Sequence, residues 1–187
     1  MNTLMKANTG RSMVACLMVV LGCVYSCKPD DPKPVNEEEV ITTIRVTLMP
    51  EGGTRPVNLV FFDADGEQGN IPPEITVSGA LQASTIYTAV ITLMNETTSP
   101  PVDVSAEILE EAEDHLFCFA TGSNIAISYS DEDDNGMPIG LESVWQTGAA
   151  EAAQVTVSLR HQPGTKTGDC PGPGETDAEV TFNVLVE

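Results

Sequence analysis

Basic residues are scarce in this sequence. Eight Lys and Arg stand against 28 Asp and Glu, for a formal net charge of −20. A surface so acidic repels nucleic acid and anionic headgroups. It suits solubility, cations or basic proteins. Aromatics make up only 5% of the chain, and Trp145 is the single tryptophan, which argues against a sugar-stacking platform. The motifs G-x-S-x-G, H-E-x-x-H and the P-loop are all missing. A non-enzymatic protein is therefore expected, and a hydrolase built on a carboxylate pair ranks well behind. Long hydrophobic runs are missing too. The stretch from Met13 to Leu21 is too short for a comfortable membrane span.

What is present begins with an address. Lys6 and Arg11 precede that apolar run, the pattern of a secretory leader. Small residues and cysteines end it. Val20-Leu21-Gly22-Cys23 fits a lipobox, and Val24-Tyr25-Ser26-Cys27 is a looser match. Polar, Pro-rich sequence starts directly after Cys27, so Cys27 is the expected lipid acceptor and Cys23 the alternative. The Ser-Cys junction before Lys28-Pro29-Asp30-Asp31 resembles the surface-exported lipoproteins of Bacteroidota. The expected organisation is a lipoprotein signal peptide over 1–26, an acidic Pro-rich tether over 27–39 and one globular domain over 40–187. Losing Lys6 and Arg11 with the leader takes the charge from −20 to −22. The expected location is the cell envelope, lipid-anchored at the outer membrane on its surface or periplasmic face, held to a membrane without spanning it.

Of five cysteines, Cys16 and Cys23 leave with the leader and Cys27 is acylated. Cys118 and Cys170 remain. In an oxidising compartment they either form a disulfide or leave Cys118 as a buried thiol.

The domain reads as short strands separated by turns. Strand patterns run over 40–49, 56–63, 74–77, 85–94, 116–119, 125–129, 140–146, 154–160 and 180–186. The last two alternate clearly, with Val155, Val157, Leu159 and then Val180, Phe182, Val184, Val186 on one face. Between 103 and 115 the period changes. Asp103 is a plausible N-cap for a helix over 107–115, with Ile108, Leu109 and Ala112 as its apolar stripe. About eight strands with one short helical insertion predict a mainly β protein, an immunoglobulin-like antiparallel β-sandwich.

Three places carry metal-ligand chemistry. Asp131, Asp133, Asn135, Gly136 and Glu142 fit the D-x-D-x-N-G-x5-E calcium loop. Strand patterns flank it, and Asn135-Gly136 is also a hairpin turn, so a solvated acidic tip competes with a structural calcium site. Asp63-Ala64-Asp65-Gly66 is a shorter version that turn chemistry explains equally well. The third place involves the only two histidines. Glu111 and His115 stand i, i+4 on the expected helix, and His161 ends a strong strand. Two imidazoles with one or two carboxylates suit zinc, iron or copper if the fold joins them. A histidine at a helix end favoured by the dipole is the plainer alternative.

Several stretches carry a resemblance: Asn36-Glu37-Glu38-Glu39-Val40-Ile41-Thr42-Thr43, Leu93-Met94-Asn95-Glu96, Glu110-Glu111-Ala112-Glu113-Asp114-His115, Asn135-Gly136-Met137-Pro138-Ile139-Gly140-Leu141, Leu159-Arg160-His161-Gln162-Pro163 and Glu175-Thr176-Asp177. Together they resemble a family of small Bacteroidota cell-envelope lipoproteins, over nearly all of the expected domain. The 63–70 loop keeps part of that family's Asp-rich form. Members often bear the label "type 1 periplasmic binding fold", a longer two-lobed α/β architecture that the strand pattern here contradicts. They occur beside TonB-dependent outer-membrane receptors. The resemblance thus implies capture or hand-over of an imported nutrient to such a receptor, with His115, His161, Glu175 and Asp177 as the polar positions that matter. The alternative is a structural interaction module whose acidic face docks a basic protein.

Overall fold

The computed structural model describes residues 39–66, 69–122 and 124–187. The expected leader, the acceptor cysteines Cys23 and Cys27 and most of the expected tether lie outside the described residues.

Alternating apolar residues build two antiparallel sheets. In the larger, β3 (Glu74–Val77), β2 (Val57–Phe62), β1 (Thr43–Pro50), β4 (Ile86–Asn95), β8 (Glu142–Thr147) and β7 (Ile125–Tyr129) are neighbours in that order, and the two-residue β5 (Val102–Asp103) pairs with β4. The smaller sheet has the order β10 (Glu175–Val186), β9 (Glu151–His161), β6 (His115–Thr121). The architecture is an antiparallel β-sandwich with open sheets, as the turn-punctuated alternation predicts. One core joins both sheets. Ile44, Val46 and Leu48 of β1, Tyr87, Ala89, Ile91 and Leu93 of β4 and Trp145 of β8 belong to it. Val155, Val157 and Leu159 of β9 and Val180, Phe182, Val184 and Val186 of β10 complete it. Each large side chain withdrawn from water contributes about 1.5–3 kcal/mol before entropy is counted. From Glu37 to Glu187 the chain forms one compact unit.

The helix differs from its expected place. Asp103 caps it, accepting from the Ser105 N–H, so α1 spans Val104–Glu110 and starts earlier than the periodicity implied. Glu111 already has non-helical backbone, and His115 opens β6 because pairing with β9 claims it. Val104 and Ile108 are the buried residues of α1, whereas Leu109 is 59% exposed. The expected stripe of Ile108, Leu109 and Ala112 therefore holds for Ile108 and Ala112 only.

Cys118 and Cys170 form a disulfide with Cα atoms 5.6 Å apart. Cys118 lies three residues beyond His115 on β6. Cys170 lies in the loop between His161, the end of β9, and Glu175, the start of β10. The bridge therefore ties that loop to the strand beside it.

Candidate metal centre

Strand register brings the two histidines together. β6 and β9 pair with His115 directly opposite His161, and residues so placed share a face. Their rings stack with centroids 4.5 Å apart and planes within 9°. His115 is fully buried, and His161 is nearly so. On the other side of β9, β10 contributes Asp177 through an irregularity. Thr176 pairs with Arg160 and Ala178 with Leu159, leaving Asp177 as an extra residue between them. A bulge of this kind re-aims a side chain, and the Asp177 carboxylate is only 2% exposed. Gly174 helps β10 begin here. Its φ is +86°, and an added Cβ would overlap the His161 carbonyl.

The fourth member is Glu39, just ahead of β1. Its Oε1 lies 3.2 Å from His115 Nε2. Asp177 Oδ2 stands 3.9 Å from the same nitrogen, and Asp177 Oδ1 stands 4.0 Å from His161 Nδ1. One ligand atom from each of Glu39, His115, His161 and Asp177 lies within 4.8 Å of all the others. Ligand atoms of a tetrahedral centre with bonds of about 2.0–2.2 Å stand roughly 3.4 Å apart. The closest spacing already suits one, and a pair at the 4.8 Å limit needs closure by about 1.4 Å.

The surroundings prepare His115 for such a role. Its Nδ1 lies 3.1 Å from the Glu111 carbonyl oxygen. Donation to that oxygen fixes the tautomer with Nε2 turned to the carboxylates, the usual support of a metal-bound imidazole. Glu39 Oε2 is buried without a hydrogen-bond partner among the described residues, and the equally buried His115 Nε2 faces the carboxylates of Glu39 and Asp177. Buried polar atoms seldom stay unsatisfied, and a cation beside Glu39 would give that oxygen a partner. Burial opposes charge on His115, but the Glu39 carboxylate, the Glu111 carbonyl and Asp177 outweigh it and hold its pKa above the ordinary imidazole value. Burial likewise pushes Glu39 up, but contact with His115 outweighs that and holds its carboxyl below the usual range.

Of the residues expected from sequence, His115, His161 and Asp177 are therefore brought together, and Glu111 and Glu175 are not. Glu111 serves through its backbone carbonyl, because the chain leaves the helix there and its side chain is exposed. Glu175 is exposed even though its backbone pairs with His161. Glu39 was missed, since a glutamate closing an acidic Pro-rich run looks like solvated tether.

The expected calcium residues spend their oxygens on the hairpin itself. Asp131 accepts from the Gly140 and Glu142 N–H groups. Asp133 Oδ1 accepts from the Asn135 and Met137 N–H groups, and its Oδ2 binds Lys166 Nζ at 2.8 Å. Glu142 is exposed in β8. In the other short loop, Asp65 accepts from the Asn70 and Ile71 N–H groups, while Asp63 is buried. Among the described residues, Asp131, Asp133, Asn135, Glu142, Asp63 and Asp65 are not gathered into a ligand group. The hairpin tip is held by an internal cation, Lys166, where the loop pattern suggested calcium.

No family model matches the chain, and no curated protein or solved structure matches it. Fold and site together describe a β-sandwich protein with a buried two-histidine, two-carboxylate cluster at the end of its smaller sheet.

Proposed function

We propose that this protein is a lipid-anchored cell-envelope binding module that holds a divalent transition metal. The ligands would be Glu39, His115, His161 and Asp177, and no catalysis is assigned to the site. The observation that supports this reading is the convergence of those four side chains, with the buried Glu39 Oε2 lacking a hydrogen bond among the described residues. Two imidazoles and two carboxylates suit zinc, and iron or copper next. Calcium is disfavoured because it seeks six to eight oxygens. The family resemblance extends the reading to capture of a metal, or of a ligand carrying one, for a TonB-dependent outer-membrane transporter. The net charge of −20 supports a second reading, a structural lipoprotein that docks a basic partner through its acidic surface.

Titration separates the two. The full-length protein, purified in mild detergent and stripped with EDTA, should take up one zinc ion per chain. His115→Ala and His161→Ala should each weaken that binding at least 100-fold. Wild-type protein that takes up no zinc, or variants that bind as tightly as wild type, would remove the metal reading. A docking module would instead keep its partner in both variants and lose it as salt rises.

A further inference from the structure

A cleft of about 390 Å³ opens beside the metal cluster, within the range of small-molecule sites. Glu39 and Asp177 form part of its wall and belong to both features. Ile41, Ile44 and Phe61 supply an apolar side, and Asp63 and Glu179 supply further carboxylates. Two of these acids point to a ligand. Asp63 is 7% exposed, and its Oδ1 is buried with no hydrogen-bond partner among the described residues. Glu39 Oε2 is in the same condition. Asp65, also in the wall, is by contrast engaged by the Asn70 and Ile71 N–H groups. A buried carboxylate oxygen without a donor is costly, and it marks the place where an incoming donor would gain most.

We infer that this cleft is a second binding site, for a small organic cation with a primary ammonium group on an apolar stem. The ammonium brings three donors and a positive charge to Asp63, with the other acids of the wall raising the local negative potential. The stem lies against Phe61, Ile41 and Ile44, surface for which a hydrated metal ion has no use. The inference goes beyond the metal reading and shares only Glu39 and Asp177 with it.

The probe is n-butylammonium, titrated into EDTA-treated full-length protein and followed by NMR, with n-butanol as the neutral counterpart. Saturable binding is expected, with contacts from the butyl chain to Phe61 and Ile44. Butanol should bind at least tenfold more weakly. Asp63→Asn should weaken n-butylammonium at least tenfold and change zinc affinity less than threefold. His161→Ala should do the reverse. Equal binding of butanol, butyl contacts elsewhere, or unchanged affinity in Asp63→Asn would overturn the proposal. Occupancy of the cleft by Ca2+ or Mg2+ with exclusion of the amine would also overturn it. Binding of the amine through Asp63 in a protein that takes up no zinc would refute the metal reading and leave this one standing. Contacts on the wild-type protein decide the matter even if Asp63→Asn does not fold.

Discussion

Asp133 and Lys166 form an ion pair at 2.8 Å beneath the hairpin tip. Both side chains are almost fully buried, and Lys166 also donates to the Ala112 carbonyl oxygen. Burial raises the Asp133 pKa, but the hydrogen bond and charge of Lys166 and two backbone N–H groups outweigh it, so the carboxyl stays below its ordinary value. Breaking one side of a buried pair leaves an uncompensated charge. Asp133→Asn should therefore cost about 3 kcal/mol or more in urea unfolding at neutral pH, and a change below about 0.5 kcal/mol would make the pair dispensable. A carboxyl whose folded pKa is lowered contributes stability above its unfolded value and loses it as pH falls through the folded one. The cost of the substitution should accordingly shrink below about pH 4. In the sequence these same acids fit a calcium loop, because spacing shows which oxygens are near one another but not whether a distant lysine folds in among them.

At the scale of elements, the strands were legible and the site was legible in part. Period-2 alternation in β9 and β10 sets which residues face the core, and the same alternation placed His161 at the end of β9. It gave no sign that β6 would begin at His115, because Glu107 to His115 also suits a helix. Only pairing with β9 decides between them, and that pairing is what stacks the two rings. The bulge was equally hidden. Glu175 and Asp177 would share a face on a regular strand, and the extra residue in β10 is what singles out Asp177. The Cys118–Cys170 bridge binds the loop leading into that bulge back to β6 across 52 positions of sequence. Replacing both cysteines with serine should cost about 2–5 kcal/mol in thermal or urea unfolding. It should weaken zinc binding by a smaller factor than the loss of either histidine. Full stability after reduction would show that strand pairing alone holds the loop.

For the whole molecule, the cluster ties the chain ahead of β1 to the smaller sheet, so its protonation state acts on folding. In metal-free protein Glu39 is held below its ordinary pKa and His115 above it. The Glu39 contribution is present above its unfolded value and is lost as pH falls through the folded one. The His115 contribution is present below its unfolded value and is lost as pH rises through the folded one. Both are present together between about pH 4.3 and 6.5. The difference in melting temperature between metal-free wild type and Glu39→Gln should be largest in that window and should diminish on either side. Zinc reverses the upper limb. It competes with the proton on His115, so the rise in melting temperature on adding zinc should grow as pH increases from 5 to 8. A pH-independent zinc effect would mean that the metal sits away from the histidines.

If Glu39, His115, His161 and Asp177 hold one metal ion, its ligand shell must contain both imidazoles. X-ray absorption at the zinc edge, on full-length protein loaded with one equivalent, tests it most directly. Two imidazole nitrogens and carboxylate oxygens are expected at about 2.0–2.2 Å, with the imidazole signal reduced in His161→Ala. An all-oxygen shell without imidazole would contradict it.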